Sequence, residues 1–415
     1  MKSKQAASRK TLPAALFEQL RSGAWLSRER VIAYGNVLFG LESVALVIIA
    51  MGTYGIFVPL DRPTSTDFLS FFAAGYLADQ GSPALIYDQH SHQLAEQIVF
   101  GDPNIPYSYW FFYPPTFVIY CALVALLPYL LSFFTWIAVT ATAYVLVLRA
   151  LLRDWPLVLA VSSFPAVFIT MGIGQNSFFT AAIFGAATLL IDRRPLAAGA
   201  ILGALCYKPH FLLLAPIALI AGRRWRALGA FVAAVAGFAG LSLLLFGWQT
   251  WEAFFHLTRT VTSTFETGKV GYAGLISLFG AVRMLGGDIW LAYGVQALAA
   301  IAGGLVTAFV WWYDLSQAVR AMTLIAATLF SVPVILFYDL LPMTVAIGWL
   351  IQDARKTGFL PWEKAILGLI WLIPILSRGV GLSANIPLGP LATTSLLIFV
   401  TMRAAINYSE KTARI

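Results

Sequence analysis

Side chains able to do chemistry are scarce in a sequence of which only 11% is charged, and they sit in short polar interruptions of long apolar runs. Asp67 opens the stretch "DFLSFFAAGY" just after the first apolar run. A carboxylate there can take a proton from a hydroxyl, or it can merely complement the dipole of a helix that begins there, worth ~0.3–1 kcal/mol. Lys208 stands alone in "CYKPH" between two short apolar runs; an ammonium at such a place can neutralise an anion or snorkel to headgroups. Gln175 and Asn176, in the glycine turn "GIGQNS", can donate to and accept from hydroxyls or simply cap a loop. Tyr113 leads "YPP" after Trp110, Phe111 and Phe112, rings that can stack on a sugar or a prenyl chain or belong to an aromatic belt. His90 and His92, near Asp88 and Glu96, form an H-x-H pair. Such a set can hold a metal, but the expectation is a solvated loop helix and no metal site.

The elements that must position these residues follow from composition. With 60% hydrophobic residues, 13 Trp and a mean hydropathy of +0.80 over 415 residues, a water-soluble domain has no place for so much apolar area. The chain reads as an all-α, polytopic integral membrane protein in a lipid bilayer. Its net charge of +8 lies in short clusters beside apolar runs, a membrane-orientation pattern and not a nucleic-acid stripe. Cys121 and Cys206 lie inside apolar segments and read as packing residues. No Walker loop, dinucleotide fingerprint or cysteine motif is present, so neither nucleotide energy nor a cofactor is indicated.

A span needs roughly 20 apolar residues. The run from Val31 to Phe57 qualifies, after a basic tail over 1–30 that the positive-inside rule keeps in the cytoplasm. The same rule holds Arg149/Arg153, Arg193/Arg194, Arg223/Arg224/Arg226, Arg320, Arg355/Lys356 and Arg403/Lys411/Arg414 inside, the last with a tail over 405–415. One transmembrane domain over 31–404 remains, with external loops over 61–112 and 247–287. The turns at Gln175, Lys208, Tyr338–Asp339 and Arg378 then share the outward side. An odd count between Tyr113 and Leu151 makes 114–128 a re-entrant or half-depth helix, and the two short runs over 195–221 read either as a hairpin or as one Pro-kinked helix. With the hairpin there are about 12 crossings. Phe68, Phe71, Phe72, Gly75 and Tyr76 share one face of a helix beginning after Ser65 or Thr66, expected to lie on the outer interface with its rings in the headgroups. Trp248, Trp251, Phe254, Phe255 and His256 suggest a second interfacial helix.

The succession of Asp67, "GSPALIYD" and "YWFFYPP" resembles glycosyltransferase family 87, as do "GQNS" and the "AAGAILGALCYKPH" stretch ending in Lys208, Pro209 and His210. The likeness is good from about Asp67 to Arg226 and fades toward the C-terminus. It departs where "SVPVILFYDL" stands in place of the family's paired histidines, leaving Tyr338 and Asp339 there. The resemblance implies a C-type membrane fold and an inverting transfer of a hexose, mannose first among them, from a polyprenyl-phosphate sugar donor to a lipid-linked or glycolipid acceptor of the cell envelope. It implies an outward, extracytoplasmic site in the inner (plasma) membrane. Asp67 would be the general base and Lys208 the cation on the donor phosphate, with Lys269, Arg378 and Arg259 as further candidate cations. Gln175 and Asn176 would meet sugar hydroxyls, and Tyr113, His210, Tyr338 and Asp339 would line the site. The rival reading is a transporter or flippase of lipid-linked sugars, which places charges near the midplane on broken helices.

Overall fold

The computed structural model describes residues 12–53, 66–101, 103, 109–268 and 271–413. It is 82% helical, and no strand occurs among the described residues. Among the described residues six helices are long and apolar enough to cross a bilayer, beginning with Arg28–Ile49 and ending with Gly389–Thr412; the pair Trp155–Ser162 and Pro165–Ile173, bent by 65°, makes a seventh when counted as one broken span. The protein is therefore an all-α polytopic membrane protein. The expected dozen crossings are not all full-length helices: five further apolar helices run only 10–17 residues, among them Pro115–Ala125, Ser177–Leu190 and Gln317–Ser331. The Pro115–Ala125 helix has 11 residues and rises only ~16 Å, about half the hydrocarbon core. The run over 195–221 is broken into Pro195–Gly203, two 3-10 turns flanking Lys208, and Ala215–Ala221. Pro209, without an N–H and with its φ fixed, ends the first half.

These helices run between two poles. Tyr129–Leu152 begins with the Tyr129 ring 5.7 Å from Phe68 and ends at Arg153, beside Asp154, which pairs with Arg28 at 2.7 Å. Ser177–Leu190 begins at Asn176 and leads to Asp192, which binds Arg320 at 2.7 Å and Arg224 at 2.9 Å. Met343–Thr357 leaves from the Asp339 turn and carries Asp353, which joins Glu363 in clasping buried Arg403 at 2.7 and 2.6 Å. One pole thus gathers the basic clusters. Arg320 and Arg403, legible only as orientation signals, are in fact buried cations, and burial demands the paired carboxylates they have.

The other pole holds the loop elements. The Thr66–Asp79 helix begins where sequence placed it, although the Ser65 cap lies outside the described residues. Its position differs from expectation: Phe68, Phe71 and Phe72 are buried in protein and not in headgroups. The rings of Phe71 and Phe117 meet edge-on at 5.0 Å, and Gly75 lets the helix lie directly on Pro115–Ala125, since a Cβ there would stand 2.1 Å from the Cys121 carbonyl oxygen. The helix Trp225–Glu266 turns at Gly247, whose φ of 76° is open to glycine. Beyond the turn Trp248 and Phe255 are exposed, as an interfacial helix requires, while Phe254 is buried against Tyr87 at 5.6 Å.

Candidate active site

The site assembles around Gln175. The chain turns at Gly174 with φ of 70°, a backbone conformation that favours glycine, and the Trp136 indole fixes the turn by donating to the Gly174 carbonyl at 3.1 Å. Gln175 Nε2 donates to Asp67 Oδ2 at 3.1 Å, while its Oε1 accepts from the Tyr113 hydroxyl at 3.2 Å and from the Asn176 N–H at 2.8 Å. One buried carboxamide therefore joins the Thr66–Asp79 helix and the Tyr113 turn to the turn before Ser177, and aims the Asp67 carboxylate. Asn176 beside it is fully buried, with neither Oδ1 nor Nδ2 in hydrogen-bond geometry with a protein group. A buried amide without partners is expensive, and at this place it is suited to a ligand hydroxyl.

Lys208 is not the lone cation that its sequence surroundings suggest. It is buried, and its Nζ donates to Asp339 Oδ1 at 2.6 Å. Three rings surround the ammonium: Phe211 at 5.6 Å, Tyr338 at 5.7 Å and Tyr113 at 6.0 Å from their centroids. The neighbouring Tyr207 holds the break in place, its ring between Phe117 and Phe179 and its hydroxyl 2.6 Å from Thr180. His210, two residues on, is exposed, with its ring 4.8 Å from Phe211. Charge links the whole group, since Lys208 and Asp339 both act electrostatically on Asp67 and on His210.

Seven of the expected site residues, Asp67, Tyr113, Gln175, Asn176, Lys208, Tyr338 and Asp339, thus form one cluster, with His210 at its edge. Arg259 and Arg378 are exposed on Trp225–Glu266 and Glu363–Ala384 and are not brought into it; Lys269 lies outside the described residues. The H-x-H expectation needs correction. His90 is exposed, but His92 is buried, its Nε2 3.1 Å from Ser70 Oγ and 3.5 Å from Glu96, because the Gln89–Phe100 helix packs on Thr66–Asp79. No group of three or more His, Cys, Asp or Glu placed to hold a metal occurs among the described residues. The Lys208–Asp339 pair was missed in sequence; the usable signal was two isolated, opposite charges in otherwise apolar segments.

Burial pushes the Asp67 carboxyl up to about 6, against the opposing pull of the Gln175 hydrogen bond and of Lys208. A base works only when ionised, so activity that depends on Asp67 should be lost as pH falls through about 6 and be level above 7. The limb should appear in kcat/KM measured from pH 4.5 to 8. A profile flat down to pH 4.5 would exclude Asp67 as a group titrating in this window.

The family model for glycosyltransferase family 87 matches residues 111–338, more than half of the chain. The match takes in Tyr113, Gln175, Asn176, Lys208 and Tyr338 and stops one residue short of Asp339. No curated protein and no solved structure matches the chain.

Proposed function

The chain belongs to glycosyltransferase family 87, and from that premise we propose that it transfers a hexose, mannose by the family's likeness, from a polyprenyl-phosphate donor to a lipid-linked or glycolipid acceptor, with inversion. The observation that carries this reading is the convergence of a carboxylate with a raised pKa and a buried, Asp339-paired cation in one aromatic surround. In the proposed step the acceptor hydroxyl gives its proton to Asp67 and its oxygen attacks the anomeric carbon. The bond from that carbon to the phosphate oxygen breaks, and the electron pair leaves on the phosphate, whose added charge Lys208 meets. Asp339 holds the Lys208 ammonium in place. Gln175 fixes the carboxylate rotamer through Nε2 and the Tyr113 ring through Oε1, and the unpartnered Asn176 amide takes a sugar hydroxyl. The apolar bundle around the cluster suits a donor and acceptor that both arrive from the lipid. The positive-inside pattern supports a site on the extracytoplasmic face of the inner (plasma) membrane.

The test offers purified protein a panel of polyprenyl-phosphate sugars together with lipids of the host membrane and identifies the product by mass. A glycolipid formed from one such donor is the expected outcome. Consumption of nucleotide sugars alone, or a product that partitions into water, would refute the proposal.

A further inference from the structure

A second polar feature of the loop pole is left unused by this chemistry. His92 is 2% exposed, and its Nε2 is committed to Ser70 and Glu96. Glu96 is held in turn by the Tyr109 N–H, 3.1 and 3.0 Å from its two oxygens. The other ring nitrogen, Nδ1, is buried without a hydrogen-bond partner. His92 lines a shallow, half-open hollow of about 20 Å³, together with Tyr87, Gln89, Trp110, Phe111 and Leu257. Trp110, 38% exposed, stands among these lining groups, and Phe111 forms a wall 5.5 Å from the Tyr113 ring of the catalytic cluster. The Tyr87 hydroxyl ties the hollow to that cluster by donating to the Tyr113 carbonyl at 3.0 Å.

We infer that this hollow is a binding subsite for one pyranose ring of the acceptor, stacked on Trp110 and hydrogen-bonded through one hydroxyl to His92 Nδ1. The interior has room for about one water-sized group, so a single hydroxyl enters to meet Nδ1 while the ring itself lies over the open mouth against Trp110. An acyl or prenyl chain would leave Nδ1 desolvated and unpaired, at a cost of ~1–3 kcal/mol. A phosphate finds no Lys or Arg among the lining residues and would face the carboxylate of Glu96 behind His92. A hydroxyl suits the imidazole in either protonation state, since it both donates and accepts, and aromatic faces suit the C–H face of a sugar. Ser70, which holds His92, follows Asp67 by three residues on the same helix, which sets their Cβ atoms ~5–6 Å apart. One helix therefore holds both the Asp67 carboxylate and the imidazole that would bind the sugar. That the ring belongs to an acceptor rests on the transferase reading.

The chain has four histidines, so the full-length protein labelled with ¹⁵N in its imidazoles, in a detergent without a sugar headgroup, gives few signals. Titration with methyl α-D-mannopyranoside and methyl α-D-glucopyranoside should shift the His92 nitrogens saturably, and Trp110→Ala should weaken that binding by about fivefold or more. His92→Gln assigns the signals; if it does not fold, replacing His90, His210 and His256 singly assigns them by exclusion. His92 signals that stay in place in an enzyme active toward its donor would overturn the subsite alone, as would a shift that Trp110→Ala leaves unweakened. Pyranoside binding at His92 in a protein that cleaves no donor would keep the sugar site and refute its assignment to an acceptor.

Discussion

Replacing Asp67 by Asn should lower transfer by ~10²–10⁴-fold while leaving the protein folded and inserted. The substitution keeps the size and the hydrogen-bonding outline of the side chain. The new amide can turn its oxygen toward Gln175 Nε2, so Gln175 keeps its orientation and the bonds it accepts from Tyr113 and from the Asn176 N–H. Among the described residues, the group removed is the only carboxylate bonded to Gln175. Asp339, the other carboxylate of the cluster, is engaged with Lys208 at 2.6 Å. Initial rates on purified protein, with the melting temperature measured alongside, decide the matter. Undiminished transfer by the Asn variant would remove Asp67 from the chemistry.

The second large effect belongs to the Lys208–Asp339 pair, where stability and activity should separate. Both side chains are buried, at 3% and 6% exposure, and removing one partner strands the other charge. Lys208→Ala should therefore destabilise the protein by ~3–5 kcal/mol and should lose donor turnover as well. The double variant Lys208→Gln with Asp339→Asn replaces the ion pair by neutral groups that still bond to each other, so most of the stability should return. Donor turnover should not return with it: without a cation at the departing phosphate, a loss of ~10²–10³-fold should persist. A double variant that regains both would make the pair purely structural. A single Ala variant that melts at the wild-type temperature would contradict the buried pairing.

The apolar background made much of the site legible. A polar residue costs too much inside a bilayer to be left without a task, so Asp67, Gln175, Asn176 and Lys208 were conspicuous, and the structure brings them together. What sequence did not convey was which of them meet: the bond from Lys208 to Asp339 spans 131 positions, and no local periodicity encodes it. Phe68, Phe71 and Phe72 carried a helical pattern but not its destination, because rings that face lipid and rings that face a neighbouring helix look alike in composition. Gly75 decided between them by letting two backbones touch. His92 was misread for a related reason, since a histidine between polar neighbours resembles a surface residue until a second helix covers it. Element type was clear throughout, whereas crossing number was not, because helices half the thickness of a bilayer give the same hydropathy signal as longer ones.

That shortness has a consequence for the depth of the cluster. Ser177–Leu190 has 14 residues and Gln317–Ser331 has 15, so each covers only ~21–23 Å along its axis, against a hydrocarbon core of ~30 Å. Both are mostly buried in protein, so the longer helices around them, and not they, match the thickness of the bilayer. A helix relieved of that duty can end inside the bundle. The Asn176 turn then stands as a recessed polar floor walled by protein, the setting in which irregular backbone is tolerated at membrane depth.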